Sequence, residues 1–487
     1  MPNVGFVRKE VVDSLAKWCK VEDCLGNDIA IKAKRETYLP IPETNTDKNQ
    51  NRLAYEKYLS RAVFYPVTSR TKDGLIGQVF QKDVSIELPT SLENLISNVD
   101  GVGTSIEQQA KQTLKNVLAF GRCGLLSDFP VVEQGRAVTR ADIENGNIRP
   151  RVIVYEAKNI INWRETSNGG KTELTMIVLK EQKIVEDDGF EFECEDRWRV
   201  YKKEDNKVLV QLWKAKDKTN ISEKTEYEQD GEDIILTGQN NKPLTKIPFE
   251  FVGSMNNDSS VDDSPLYPLA CLNIAHYRNS ADYEQMLFIT GQATPVFSGL
   301  TEDWNEKYIA GKVLLGSSNA IGLPAGASAT LLQAQSNSLP MEGMTHKEDQ
   351  MKAIGAKLIE PNQTQRTATE TEIEESSDAS VLSSCSKNVS SAYRKAVHNC
   401  SLFAGEVEPD EIIIELLSEF QVTGLNAQER QEVIGAMQAE VITWTEARDV
   451  YRRKGIAYLV DDDARVEIEN SQIALGNTTE VLEQETE

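Results

Sequence analysis

Histidine is scarce in this chain of 487 residues: His276, His346 and His398 stand alone, with no H-E-x-x-H or His/Cys spacing around them. Neither metal catalysis nor a Ser-His-Asp arrangement is expected from them, and each reads as an interface or surface residue. The seven cysteines (Cys19, Cys24, Cys123, Cys194, Cys271, Cys385, Cys400) are odd in number, scattered and without a C-x-x-C pair. That pattern indicates neither a disulfide framework nor a zinc site, and it fits a reducing cytoplasm. Long apolar runs are missing as well. No stretch reaches the roughly 18 residues of a membrane span, and the first ten residues turn charged before the apolar core of a signal peptide forms. Positive charge is also in deficit, with 53 basic against 77 acidic residues for a net of −24. A protein that grips phosphate backbones over a wide surface is thereby disfavoured, and any nucleic-acid contact is expected to be local.

What is present is a folded chain. The apolar content of 39% supports sizeable cores, and the length corresponds to about three domains on a prior of about 150 residues each. Helices open the sequence, separated by the proline-rich connector Tyr38-Leu39-Pro40-Ile41-Pro42. Asn51–Tyr65 is expected to be amphipathic, with Leu53, Tyr55, Tyr58, Leu59, Ala62 and Val63 on one broad side before Pro66 ends it. Thr104–Phe120 is the clearest early helix: Thr104 and Glu107 spell a capping box, Ile106, Ala110, Leu114 and Val117 follow at helical spacing, and Gly121 marks the stop.

Between Cys123 and Val252 the texture becomes β-branched and aromatic. Expected strands are 124–129, 151–155, 159–163, 174–179, 190–194, 198–201 and 208–213, a mixed and mostly antiparallel sheet region. Asn168-Gly169-Gly170 and Asp187-Asp188-Gly189 read as hairpin turns, and the polar stretch 217–241 as a surface excursion. Two patterns here imitate phosphate chemistry. Gly169-Gly170-Lys171-Thr172 carries the G-K-T of a phosphate loop, but Glu165 occupies the position of its first glycine. Gly101-Val102-Gly103 lacks the third glycine of a dinucleotide fingerprint and reads as a loop before a capped helix.

Helical periodicity returns after Asp262-Asp263-Ser264-Pro265, where Leu266, Leu269, Ala270, Asn273, Ile274, Tyr277, Ala281 and Met286 predict a helix of about 22 residues with proline near its first turn. A small α/β insertion over 294–335 precedes a second helix over 339–359. That helix stops at the polar break Glu360-Pro361-Asn362-Gln363-Thr364-Gln365-Arg366, which has too little apolar content to serve as core and so must project into solvent. Read alone, the break is equally an ordinary helix-to-helix loop. Beyond it, Thr369 with Glu372 forms another capping box, and Val381, Cys385, Val389, Tyr393, Ala396, Cys400 and Phe403 keep a regular apolar stripe. Nine serines between Ser376 and Ser401 leave this helix little bulk, so it can approach its neighbours closely. A short strand over 411–417 and two helices follow, 427–439 capped by Asn426 with Glu429 and 446–454 capped by Thr443 with Glu446. From Asp461 the tail is acidic; Asp461-Asp462-Asp463 reads as a solvated run in preference to a cation site.

This order of elements resembles the portal proteins of tailed bacteriophages. The wording of Ala110–Pro130 (A-K-Q-T-L-K-N-V-L-A-F-G-R-C-G-L-L-S-D-F-P), Arg149–Arg164 (R-P-R-V-I-V-Y-E-A-K-N-I-I-N-W-R) and Ser264–Asn279 (S-P-L-Y-P-L-A-C-L-N-I-A-H-Y-R-N) looks like a portal branch long catalogued as proteins of unknown function. The resemblance implies an α+β portal-type protomer: a wing of helices and mixed sheet over 1–263, a first stem helix over 264–290, a small α/β clip over 291–337 and a second stem helix over 338–359. It further implies a tunnel loop over 360–368, a long helix with a return to the wing over 369–425, and a short helical crown with its acidic tail over 426–487. Such proteins form a dodecameric ring at a capsid vertex, through which DNA is packaged and ejected. The implied site is DNA-facing and non-catalytic, with no cofactor and no metal: Pro361, Asn362, Gln363, Thr364, Gln365 and Arg366 in the tunnel loop, and Lys347, Lys352 and Lys357 along the channel.

The implied partners are further copies of the chain, the terminase large subunit, a head-tail adaptor, the major capsid and scaffolding proteins, and double-stranded DNA sliding without sequence preference; no membrane is implied. The place is the virion, with the host cytoplasm during assembly. Strong net negative charge suits a bore that must release phosphates, because each neutralised phosphate tightens binding through counterion release. The three lysines are spaced by five, so they rotate off a shared helix face and not all can line the bore. Two rivals remain open at this point: an acidic cytoplasmic enzyme with its site between the sheet region and the Leu266 helix, and another ring-forming head-tail component.

Overall fold

Fifteen residues from Ile106 to Phe120 form α6, and its two ends show how local chemistry sets the frame. Ser105 is the N-cap: its Oγ accepts from Gln108 N while the Gln108 side chain accepts from Ser105 N. The capping box thus lies one residue beyond the expected Thr104–Glu107 pair. Asp100 explains the shift, since its carboxylate accepts from Val102 N (2.9 Å) and Thr104 N (3.2 Å) and keeps Thr104 in the preceding loop. At the other end Gly121 adopts φ 77°, the left-handed conformation that ends a helix without a side-chain clash. Ile106, Ala110, Leu114 and Val117 are all buried, as their spacing predicts.

The computed structural model describes residues 3–42, 47–129, 149–216, 225–238, 242–292, 294–309, 322–333, 337–359, 380–404, 407–420, 427–439, 441–453, 457, 461, 464, 465 and 467. Two compact units result, Met1–Leu417 and Ser418–Glu487. In the second, α10 (Ala427–Gln438) and α11 (Trp444–Arg453) are helical. The Thr443–Glu446 box caps α11 as expected, with Glu446 N donating to Thr443 Oγ1 at 3.2 Å and Thr443 N to the Glu446 carboxylate at 2.7 Å. The Asn426 cap, the Thr369–Glu372 box and Asp462–Asp463 lie outside the described residues.

The first unit is α+β. Its N-terminal helices are α1 (Lys9–Leu25), α2 (Asn27–Ala33), α3 (Lys48–Arg61), α4 (Val67–Val79) and α5 (Asn94–Ser97). α3 buries Tyr55, Tyr58 and Leu59, but Leu53 and Val63 are exposed, so its apolar side is narrower than expected. The helix ends at Arg61, and Pro66 caps the start of α4, which the sequence left unassigned because Gly74 and Gly77 interrupt its pattern.

Every strand pair among the described residues is antiparallel. The sheet region is therefore not mixed. β2 (Arg122–Asp128) lies between β10 (Phe249–Gly253) and β3 (Arg151–Glu156), and all seven of its residues are buried. A six-stranded sheet takes β4 (Ile160–Asn168), β5 (Lys171–Asp187), β6 (Phe192–Glu204) and β7 (Lys207–Ala215) in succession, with β8 (Tyr227–Gln229) and β9 (Ile234–Ile235) on β7. β8 and β9 make part of the expected excursion over 217–241 into sheet. Both glycine turns form as read: Asn168 pairs with Lys171 across Gly169 and Gly170, which identifies the G-K-T pattern as a hairpin tip. A third tip, Asp205-Asn206, has positive φ at both residues without any glycine. Runs 190–194 and 198–201, expected as separate strands, are one continuous β6.

The N-terminal arm covers one face of this sheet. Val4 and Val7 pack against Ile161, Val178, Trp198 and Val200. Arg8 and Arg122 place their guanidiniums 4.3 Å and 4.5 Å from the Trp163 ring centroid. Arg122 is fully buried, and desolvation pulls it down to about 10.

The serine-rich helix α9 (Val381–Ala404) is the centre of the unit. It packs against α6, β2, β10, β3 and β13 (Ile413–Glu415), and β13 pairs with β1 (Ser85–Glu87). Cys385, Val389, Tyr393, Ala396, Cys400 and Phe403 are buried, and so are Ser383, Ser386, Ser390 and Ser401 on other faces. Ser384 and Ser391 are half-buried, and the buried serines give the close approach that little side-chain bulk allows. Their hydroxyls are satisfied, Ser386 Oγ by Leu417 O (2.7 Å) and Ser390 Oγ by Ser386 O (2.9 Å) while it accepts from Leu416 N (3.0 Å). Ser127 on β2 donates to Ala396 O at 2.7 Å, and the Tyr393 hydroxyl meets Thr113 Oγ1 of α6 at 2.9 Å. All seven cysteines are free, and burial pushes the Cys385 and Cys400 thiols up to about 12.

A side chain at Gly121 would place its Cβ 2.3 Å from Asp262 O and 2.7 Å from Asp263 O, on a backbone that already disfavours one. Gly121→Ala is expected to cost roughly 2–4 kcal/mol, read as a lowered urea midpoint with an unchanged slope.

Candidate functional site

Two helices joined through a hairpin form the segment that the sequence singles out. α7 (Tyr267–Thr290) begins with Pro268 in its first turn, and α8 (Leu339–Lys357) follows the hairpin of β11 (Thr294–Ser298) and β12 (Ser328–Leu332). The helices run antiparallel: His276 Nε2 lies 3.2 Å from Glu348 Oε1, and a Cβ on Gly343 would stand 2.8 Å from Asn279 Nδ2. Gly343 permits that close approach.

The first half of α7 is fixed in the body of the unit. Leu269, Ala270, Asn273, Ile274, Tyr277 and Ala281 are buried at the predicted spacing. Polar anchors add direction. Asn273 Oδ1 accepts from Thr68 N (3.1 Å) and Thr68 Oγ1 (2.9 Å) while its Nδ2 donates to Tyr65 O (2.8 Å). Ser280 Oγ donates to Val63 O at 2.8 Å, and the Tyr58 hydroxyl donates to Asp282 Oδ1 at 2.6 Å. Burial, reinforced by the Asp282 carboxylate, holds the Tyr58 hydroxyl well above its ordinary value. Sequence reading missed these partners because they come from 200 and more positions away. His276 is likewise a buried contact between the two helices, 5% exposed, and not a surface residue. His346 is exposed and bonds Gln350, and His398 is half-buried on α9.

The far half of the pair lacks such cover. Leu287, Phe288 and Ile289 at the end of α7, Leu331 and Leu332 on β12, and Leu339 and Met341 at the start of α8 are all exposed. Arg61 of α3 lies 3.5 Å over the Phe288 ring and donates to Gln285 Oε1 at 2.7 Å. The β12 side chains are exposed on both faces. An isolated two-stranded hairpin is marginal in water, and contiguous exposed apolar residues mark a surface that meets another molecule. No sequence signal separates these leucines from core leucines; only the missing cover does.

Along α8 the buried positions are few. Met351 is 1% exposed, and Leu358 follows just past the last turn. Lys347 is half-buried, Lys357 is exposed, and Lys352 is exposed and pairs with Asp349 at 3.0 Å, a hydrogen bond that raises its ammonium above the ordinary value. At about 100° per residue the three lysines fall about 140° apart in succession, so the structure does not bring them onto one face. Pro361, Asn362, Gln363, Thr364, Gln365 and Arg366 lie outside the described residues. The residues that flank them are described, and they meet: Leu382 N donates to Leu358 O at 3.0 Å, with both leucine side chains buried. The chain therefore leaves this point at Ile359 and returns to it at Ser380. None of the helices has the length and apolarity to cross a membrane among the described residues, and no group of three or more His, Cys, Asp or Glu is placed to hold a metal there.

One comparison with known proteins falls on the same segment. A family model described as "Domain of unknown function (DUF4055)" matches residues 265–404, from the start of α7 to the end of α9. No curated protein matches the chain. Among solved structures, it is similar at 12% identity to a chain of the virion of a native gene transfer agent particle, over 89% of this chain and 100% of that one, with a TM-score of 0.37. It is similar at 13% identity to a chain from the neck of the empty particle, over 81% and 91%, with a TM-score of 0.36. At such TM-scores neither likeness carries an argument about fold or role.

Met351→Ala is expected to lower stability by about 2–4 kcal/mol and to speed hydrogen exchange through α8, because it empties the one buried position within that helix. Lys352→Ala, on the solvent side, is expected to stay within about 0.5 kcal/mol of the parent protein in the same measurement.

Proposed function

We propose that the chain is a structural component of a phage-like particle and, within that class, a portal protomer: one subunit of a ring, implied by the resemblance to number twelve, through which double-stranded DNA passes. The observation that carries the reading is the helix–hairpin–helix of α7, β11, β12 and α8, with an uncovered apolar end and, at its other end, a polar stretch of chain whose two ends are clasped together. On this reading α7 and α8 are the stem, the hairpin is the clip that offers a docking surface to the terminase large subunit and later to the head-tail adaptor, and residues 360–368 are the tunnel loop. The major capsid and scaffolding proteins are further partners implied by the resemblance.

The chemistry supports a bore with low affinity. Arg366 is the single cation within 360–379, among six acidic residues, so a ring would present one level of transient phosphate contact with neutral Gln363 and Gln365 beside it. Of the stem lysines, Lys352 and Lys357 are exposed on different faces of α8, with Lys352 paired to Asp349, and Lys347 is half-buried, so at most one of them lines a bore. The apolar end supplies what subunits packed side by side need, since a face that water cannot hydrogen-bond gains most from burial. The role requires neither cofactor nor catalysis.

Electron microscopy and light scattering of the purified protein are expected to give rings with a central opening. Compact monomers alone, across salt and protein concentration, would overturn the reading. Leu331→Asp with Leu332→Asp is expected to shift rings toward monomers while the circular dichroism spectrum stays unchanged. Arg366→Ala is expected to leave rings intact and to lower their salt-dependent retention of duplex DNA, with a shallower slope against salt.

A further inference from the structure

The hairpin of β5 and β6 outruns its own sheet. β4 pairs with β5 only as far as Leu179, and β7 pairs with β6 only from Arg197 onward, so residues 180–196 form a two-stranded ribbon with no described strand on either side. Its faces differ. Ile184, Phe192 and Cys194 share the side that, further down the sheet, carries the buried Trp198 and Val200 under the N-terminal arm; Asp187, Gln182 and the paired Lys180 and Asp196 lie on it too. Here that side is uncovered, with Ile184 at 50% and Phe192 at 63% exposure, and Phe190 stands at the tip at 97%. The opposite side is acidic. Glu186 faces Glu193 directly across the ribbon, Glu195 follows on the same side, and Lys183 is the one cation there.

Two features set this ribbon apart from an edge that is merely protected. Like charges in direct cross-strand register destabilise a pair, and an isolated ribbon has little stability to lose. Between 180 and 196 there are eight acidic residues against two lysines. The two edges also differ. β5 has a register break between Ile184 and Glu186, the kind of bulge that turns an edge away from pairing, whereas β6 pairs without a break from Phe192 to Cys194 and on to Glu204. Its free edge, 192–196, is a straight template.

We infer that the free edge of β6 at residues 192–196 receives an extended, lysine- or arginine-rich segment of another protein, added as a further antiparallel or parallel strand. Alternation does the recognition: apolar side chains of the incoming strand continue the Ile184–Phe192 side, and its cations lie beside Glu193, Glu195 and Glu186, relieving their repulsion. A second copy of the ribbon is a poor occupant, because its own eight acidic residues against two lysines would bring acid to acid at this edge. The inference stands without the portal reading.

The probe is a fluorescent peptide of alternating lysine and valine, titrated into the full chain and followed by anisotropy and by hydrogen exchange. The expected result is binding that weakens with salt, slowed exchange of the outward amides within 192–196, and affinity roughly tenfold lower in Glu193→Lys with Glu195→Lys. These substitutions sit on an exposed strand, so thermal melting should match the parent protein. Equal binding of an alternating glutamate–valine peptide, protection elsewhere with none at 192–196, or unchanged affinity in the charge-reversed protein would each overturn it. So would self-association that disappears when the ribbon is shortened, since the occupant would then be a second copy.

Discussion

Everything in the first unit is arranged around the burial of a helix with almost no bulk. α9 runs between α6 on one side and the β10–β2–β3 sheet on another, with β13 closing a third. Leucine or lysine at its serine positions would hold those neighbours apart, and dense interiors tolerate little change in volume. Serine brings a cost of its own, because a buried hydroxyl without a partner loses its water. Ser386, Ser390 and Ser127 meet that cost with backbone partners, and Asn388 and Asn257 do the same across the loop after β10, with Asn388 Nδ2 donating to Gly253 O at 2.9 Å and Asn257 Nδ2 to Asn388 O at 2.8 Å. Close packing and polar satisfaction are thus one constraint.

That centre transmits rigidity to the helix pair. α9 begins where α8 ends, through the Leu358–Leu382 contact, and α7 begins where α6 and the β10 loop meet, with Ser264 Oγ donating to Ala119 O at 2.6 Å. Both helices are therefore fixed at the end near the core, and cover thins along them until the apolar tip at Leu287–Ile289 and Leu331–Leu332 stands free. Exposed apolar surface of that kind gains from burial against another molecule, and the same logic applies to the β5–β6 ribbon, where Ile184 and Phe192 stand uncovered beside acidic side chains.

Comparison of particular elements shows where local signals suffice. Ile106 to Gly121 was legible because period, cap and stop are all written within it, although the Asp100 loop moved the cap by one residue. The Asn168-Gly169-Gly170 and Asp187-Asp188-Gly189 turns were legible because glycine relieves positive φ, and Asp205-Asn206 was not, because asparagine and aspartate accept that conformation less often and leave a weaker mark. α4 was missed for the opposite reason, its two glycines breaking a pattern that burial against α6 and α7 restores. Of the candidate site, the helix pair could be placed from spacing, with an α/β insertion between its members; that β11 and β12 pair as a hairpin, and the roles of His276, Ser280 and Asn273, could not, since the partners lie far off in the chain.

The sequence by itself determined most of the inventory: the strongly periodic helices and many of the strands, where most turns fall, that negative charge dominates, and that a proline-marked polar break follows α8. Periodicity and turn chemistry are local, so they survive without a partner in space. Tertiary structure alone decided which apolar residues are core and which stay exposed, that Ser383, Ser386, Ser390 and Ser401 of α9 are buried, and that Leu358 and Leu382 meet at the foot of the pair. Those are questions of what covers what, and cover is supplied by residues far away in the chain.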